Sequence, residues 1–93
     1  MMTEMDKMMT EMDKLDAMLT ERGIEHTYDR DYQDCGTQII VFERGKRVWD
    51  AVCTRFSYGG KDGYLEVMAE NLPMKVEGWL TAEQVMKMAY GED

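Results

Sequence analysis

The chain has 93 residues, 44% apolar, with five Tyr, two Trp and two Phe, which suffices for one modest core burying roughly 60–65% of the unfolded surface and excludes a disordered chain. Its net charge of −8, from 19 acids against 11 bases, excludes non-specific attraction to nucleic acid or to an anionic membrane. No apolar run approaches the ~18 residues of a membrane span and no secretory pattern is seen, so a cytoplasmic protein with free thiols at Cys35 and Cys53 is expected. The charge is uneven: −6 over residues 1–34, +3 over 35–61 and −5 over 62–93, a basic island between acidic flanks.

Residues 2–8 (MTEMDKM) and 9–15 (MTEMDKL) are a tandem repeat with one change. Met5, Met8, Met12, Leu15 and Leu19 recur at the three and four spacing of one helical face. Thr3 with Asp6 and Thr10 with Asp13 are capping pairs, so a helix can begin at either copy, and Gly23 followed by Ile24 ends it. A coiled coil needs three or four heptads and this one stops after barely two. Residues 1–8 are therefore taken as a duplicated helical extension, and residues 9–93 as a single α+β domain.

From His26 to Tyr32 the period becomes two, with Tyr28 and Tyr32 opposite Thr27, Asp29 and Asp31, the pattern of an edge strand. Residues 38–42 (QIIVF) are a central strand, 43–46 a polar turn and 47–56 its partner strand. Residues 57–63 form a glycine-rich loop. Leu65, Met68, Ala69 and Leu72 then sit at helical spacing, with Pro73 as the stop. Thr81 and Gln84 make a capping box for a last helix over residues 82–90, with Leu80 positioned to staple onto Val85. The predicted fold is α+β: an N-terminal helix, a three-stranded antiparallel sheet and two C-terminal helices.

No constellation spells out chemistry. His26, Asp29, Asp31, Asp34 and Cys35 lack paired zinc-ligand spacing, and Asp29, Asp31 and Asp34 miss the spacing of a calcium loop. No nucleophile has an evident base, and the glycine loop lacks the GxxxxGK[ST] pattern. No enzyme activity, metal or cofactor is expected. Most of the eleven Met fall on helical stripes and are assigned to packing.

The run from Asp50 through Phe56-Ser57-Tyr58-Gly59-Gly60-Lys61-Asp62-Gly63-Tyr64-Leu65-Glu66-Val67-Met68, followed by Val76-Glu77-Gly78-Trp79-Leu80-Thr81-Ala82-Glu83-Gln84-Val85, resembles small uncharacterised proteins encoded by bacteriophages and prophages. The resemblance covers about residues 9–90, is carried by structural motifs and brings no catalytic residues. It implies an acidic protein that binds and inhibits a host defence protein, in the way of anti-CRISPR and other anti-defence inhibitors. In that reading Glu4, Asp6, Glu11, Asp13, Asp29, Asp31 and Asp34 imitate the phosphates of DNA for a nucleic-acid-binding host protein in the host cytoplasm, with no direct contact to nucleic acid or membrane. The chain would act as a monomer or homodimer. The alternative is a small-ligand or nucleotide-sequestering protein, in which Arg44, Arg47, Arg55 and Lys61 meet phosphates and Trp49 or Tyr58 stacks on a base.

Overall fold

The computed structural model of the chain describes residues 9–69 and 76–91. The extension at residues 1–8, with Glu4 and Asp6, lies outside the described residues. Helix α1 (Glu11–Glu21) is followed by strands β1 (His26–Tyr32), β2 (Gly36–Glu43) and β3 (Lys46–Thr54), a 3-10 turn (Gly60–Asp62), strands β4 (Leu65–Ala69) and β5 (Val76–Leu80), and helix α2 (Ala82–Tyr90). The strands form one antiparallel sheet in the order β1-β2-β3-β4-β5. The α+β class and the two terminal helices are as the sequence predicts. The sheet has five strands instead of three, and among the described residues there are two α-helices instead of three.

The difference lies in residues 65–69 and 76–80; Leu72 and Pro73, the predicted end of the middle helix, lie outside the described residues. Leu65, Met68 and Ala69 do fall at helical spacing, but Leu65 and Val67 are buried while Met68 is half-exposed, which is alternation with period two. Pairing decides between the two patterns. Ala51 on β3 lies opposite both Ile39 and Val67, and Trp49 opposite both Val41 and Ala69, so β4 continues the buried face of the central strands. Strand β3 also ends at Thr54, two residues short of Phe56, because Thr54 turns the chain.

That shared face packs against both helices. Met12, Leu15 and Leu19 of α1 and Ala82, Val85 and Met86 of α2 form one cluster with Ile39, Val41, Trp49, Ala51, Leu65 and Val67. Both helices start from the capping boxes read in the sequence: Thr10 Oγ1 accepts from Asp13 N–H at 3.0 Å, and Thr81 Oγ1 from Gln84 N–H at 3.3 Å. Among the described residues the opposite face of the sheet carries no helix.

The acids of α1 hold the layers together. Glu11 Oε1 accepts the Ala82 N–H at 2.9 Å and so ties the first turns of the two helices. Asp13 Oδ1 accepts from the Tyr28 hydroxyl at 2.8 Å and from Arg30 Nη1 at 3.1 Å, and the Arg30 guanidinium lies 4.2 Å over the Tyr28 ring. Asp16 meets His26 Nε2 at 2.7 Å, while His26 Nδ1 lies 2.7 Å from the Ile24 carbonyl.

This clamp carries a pH signature. Burial acts to raise the Asp13 carboxyl, yet hydrogen bonds from Tyr28, Thr10 and Arg30 outweigh it and hold it below 3.8. Burial, then the bond to Asp13, pushes the Tyr28 phenol up to about 12. A lowered acid contributes stability above its unfolded value that is lost as pH falls; a raised phenol contributes stability below its unfolded value that is lost as pH rises. The melting temperature is therefore expected to fall below about pH 4 and again between about pH 10 and 12. In an ultraviolet pH titration one of the five tyrosines should ionise only near pH 12, and Tyr28→Phe should remove that step.

Candidate functional site: an exposed aromatic end

At the end of the sheet where β3 leaves and β4 enters, the chain builds a closed loop from its own polar groups. The Thr54 hydroxyl accepts from the N–H groups of Phe56 at 3.1 Å and Ser57 at 3.0 Å; Ser57 Oγ accepts from Thr54 N–H at 2.9 Å and donates to the Thr54 carbonyl at 3.0 Å. Further along, Gly60 N–H donates to Ser57 O, Asp62 to Gly59 O, Gly63 to Gly60 O and Tyr64 to Gly59 O, all at 2.9 to 3.1 Å. Trp79 N–H donates to the Tyr58 carbonyl at 3.2 Å, which fixes the loop to β5.

Two glycines make this possible. A Cβ on Gly60 would lie 1.8 Å from the Thr54 carbonyl oxygen, and one on Gly78 would lie 2.3 Å from Tyr58 Cβ. Because the loop uses so many of its N–H groups internally, few remain to cradle a phosphate.

What this frame presents is aromatic. Phe56 is 81% exposed, Tyr58 64%, Trp79 59% and Tyr64 38%. The Tyr64 and Trp79 rings meet at 6.1 Å with a 45° tilt. Trp79 has φ +59°, a left-handed backbone that a bulky side chain adopts at a cost of order 1–3 kcal/mol. An exposed tryptophan gains little core packing to offset that. Arg55 lies 5.5 Å from the Phe56 ring and donates to the Asp34 carbonyl at 3.3 Å, and Lys61 sits in the 3-10 turn.

A groove of about 440 Å³ runs from this end along the helix-free face, between Tyr32, Phe56, Glu66 and Met68. In its floor Asp50 accepts from Gln38 Nε2 at 3.1 Å, and Arg47 Nη2 stands 3.1 Å from Asp50 Oδ1, an ion-pair contact without hydrogen-bond alignment. A second concavity of about 750 Å³ lies at the other end of the molecule, between Trp49, Val41, Val67 and the last turn of α2, and its apolar wall is the core itself.

The residues singled out from sequence are distributed differently from one another. Glu11 and Asp13 are engaged in the clamp. Asp29, Asp31 and Asp34 remain at the exposed β1 margin, where Asp29 Oδ1 accepts the Asp31 N–H at 2.9 Å. Of the ligand set, Arg55, Tyr58 and Lys61 share the aromatic end, Arg44 is in the β2–β3 turn at the other end, and Arg47 and Trp49 are on opposite faces of β3. Trp49 is 7% exposed and packs edge-on to Tyr90 at 6.3 Å. His26 turns to Asp16, and Cys35 Sγ donates to the Tyr32 carbonyl at 3.6 Å, so the acid, His and Cys run does not converge. Among the described residues no three His, Cys, Asp or Glu side chains are grouped to hold a metal. Burial pushes the Cys53 thiol up, away from the thiolate form.

Tyr64 and Trp79 were not singled out from sequence. The available signal was an aromatic directly after a glycine, just ahead of a capping box. Both sheet edges are irregular, β1 by a register shift between Asp29 and Tyr32 and β5 by the kink at Trp79, and neither offers a flat strand for pairing with another chain. Among the described residues no helix is long and apolar enough to cross a membrane. Compared with protein-family models, curated proteins and solved structures, the chain matches none.

Proposed function

We propose that this chain is a non-enzymatic binding protein that seats its aromatic end on a host protein and blocks it, the anti-defence role that the resemblance to small uncharacterised phage-encoded proteins implies. The observation that carries this reading is Trp79, exposed and held at φ +59° on β5, where its N–H bonds a loop that is closed on itself. Tryptophan, tyrosine and arginine dominate the energetics of protein interfaces, and a surface ordered before binding loses less entropy on association. The carboxylates of Asp29, Asp31 and Asp34, together with the net charge of −8, add steering toward a basic, nucleic-acid-binding partner. A nucleotide-sequestering role keeps support only from the Arg55, Tyr58 and Lys61 group.

The test is affinity capture from host lysate with mass spectrometry at low and high salt. A basic protein enriched at low salt and released at high salt is the expected result, with Asp29, Asp31 and Asp34 together changed to Asn slowing association about tenfold. Retention unchanged by salt would remove the nucleic-acid mimic. A thermal shift with millimolar cyclic nucleotide, and no captured protein, would transfer support to sequestration.

A further inference from the structure

The fold contains its own example of how an arginine is held. The Arg30 guanidinium carbon lies over the Tyr28 ring at 4.2 Å while its Nη1 bonds the Asp13 carboxylate at 3.1 Å, an aromatic face and an anion sharing one guanidinium. The aromatic end offers the same two elements toward solvent. Tyr58 and Trp79 are exposed, and Tyr58 N–H lies 3.5 Å from Glu66 Oε1, which places that carboxylate at the Tyr58 backbone and in the groove next to Tyr32 and Phe56. Of the cations nearby, Arg47 is engaged with Asp50 and Arg55 with the Asp34 carbonyl and the Phe56 ring, while Lys61 stands exposed in the 3-10 turn. The chain as a whole carries a net charge of −8.

We infer that this end is a seat for arginine side chains of the partner, stacked on Trp79 and Tyr58 and paired with Glu66. Resting on the reading of the chain as a host-protein binder, this names the chemistry of the surface it engages: exposed arginines, as in a groove that normally holds nucleic acid. Lysine does not substitute well, because its compact ammonium lacks the planar face that lies on a ring while its edge meets a carboxylate. The left-handed backbone at Trp79 follows from this use, since it keeps the indole outside the core.

Fluorescence titration of the full chain with a twelve-residue peptide of alternating arginine and serine, against the lysine–serine equivalent, reads the preference directly. The arginine peptide should bind at least tenfold more tightly. Trp79→Gly should weaken it about tenfold while leaving the melting temperature unchanged or higher, because glycine accepts the left-handed conformation freely. Tyr58→Ala, read by Trp79 fluorescence, keeps the test open if Trp79→Gly folds poorly. Equal affinity for the two peptides, no binding of either, or binding indifferent to both substitutions would overturn the inference. Capture of the host partner by wild type and by Trp79→Gly alike would leave the inhibitor reading standing and remove this one.

Discussion

Replacing Gly60 with alanine is expected to lower stability by at least about 3 kcal/mol and to abolish binding through the aromatic end. The cause is contact, because a Cβ would sit 1.8 Å from the Thr54 carbonyl oxygen, 2.5 Å from Ser57 Oγ and 2.8 Å from the Thr54 carbonyl carbon. Two of these are backbone atoms of the strand that ends there. They cannot withdraw without breaking the Thr54–Ser57 hydrogen bonds that close the loop and the Arg55 N–H bond to the Cys35 carbonyl. Against a total of roughly 5–14 kcal/mol for a domain of this size, that is a large share. Urea unfolding reads it as a lower midpoint at unchanged slope. Lys61→Ala, exposed in the same 3-10 turn, is the control and should move the midpoint hardly at all. A Gly60→Ala change of under about 1 kcal/mol would mean that the loop is not closed as described.

The second large effect is at Leu15. Its side chain is fully buried, one turn from Leu19 and beside Met12, in the cluster that joins α1 to Val85 of α2 and Ile39 of β2. Leu15→Ala should cost about 3–5 kcal/mol, the lost transfer energy plus the cavity left behind. That corresponds to roughly 15–25 °C in melting temperature for a domain of this size. Met68→Ala, half-exposed on the helix-free face, should stay within about 0.5 kcal/mol. Calorimetry on the two variants separates a one-sided core from a two-sided one, since similar losses at both positions would indicate that the helix-free face is covered.

What could be read from the sequence was what is decided locally. Thr10 with Asp13 and Thr81 with Gln84 fix the helix starts within four residues, and both capping boxes form. Residues 65–69 were different, because Leu65, Met68 and Ala69 satisfy a helical stripe while Leu65, Val67 and Ala69 satisfy a strand, and only the partner strand β3 distinguishes them. The same holds for the acids. Asp13 looks like a solvated helix residue until β1 brings Tyr28 and Arg30 across it, fifteen and seventeen residues on. Asp29 and Asp31 stay exposed as their alternation suggests, and Asp34 is exposed in the turn that follows. The aromatic end was hidden for a similar reason. Tyr58 belongs to one loop and Trp79 to a strand twenty-one residues later, and they meet only because β4 and β5 fold back as a hairpin.

The central claim is that the aromatic side chains are presented by a loop already ordered in the free protein. Amide hydrogen exchange of the full chain tests this most directly. The amides of Gly60, Gly63, Tyr64 and Trp79, each bonded within the loop or to it, should exchange more slowly than in an unstructured peptide by on the order of a thousandfold. Exchange of these four at free-peptide rates, while the amides of β2 and β3 stay protected, would contradict the account.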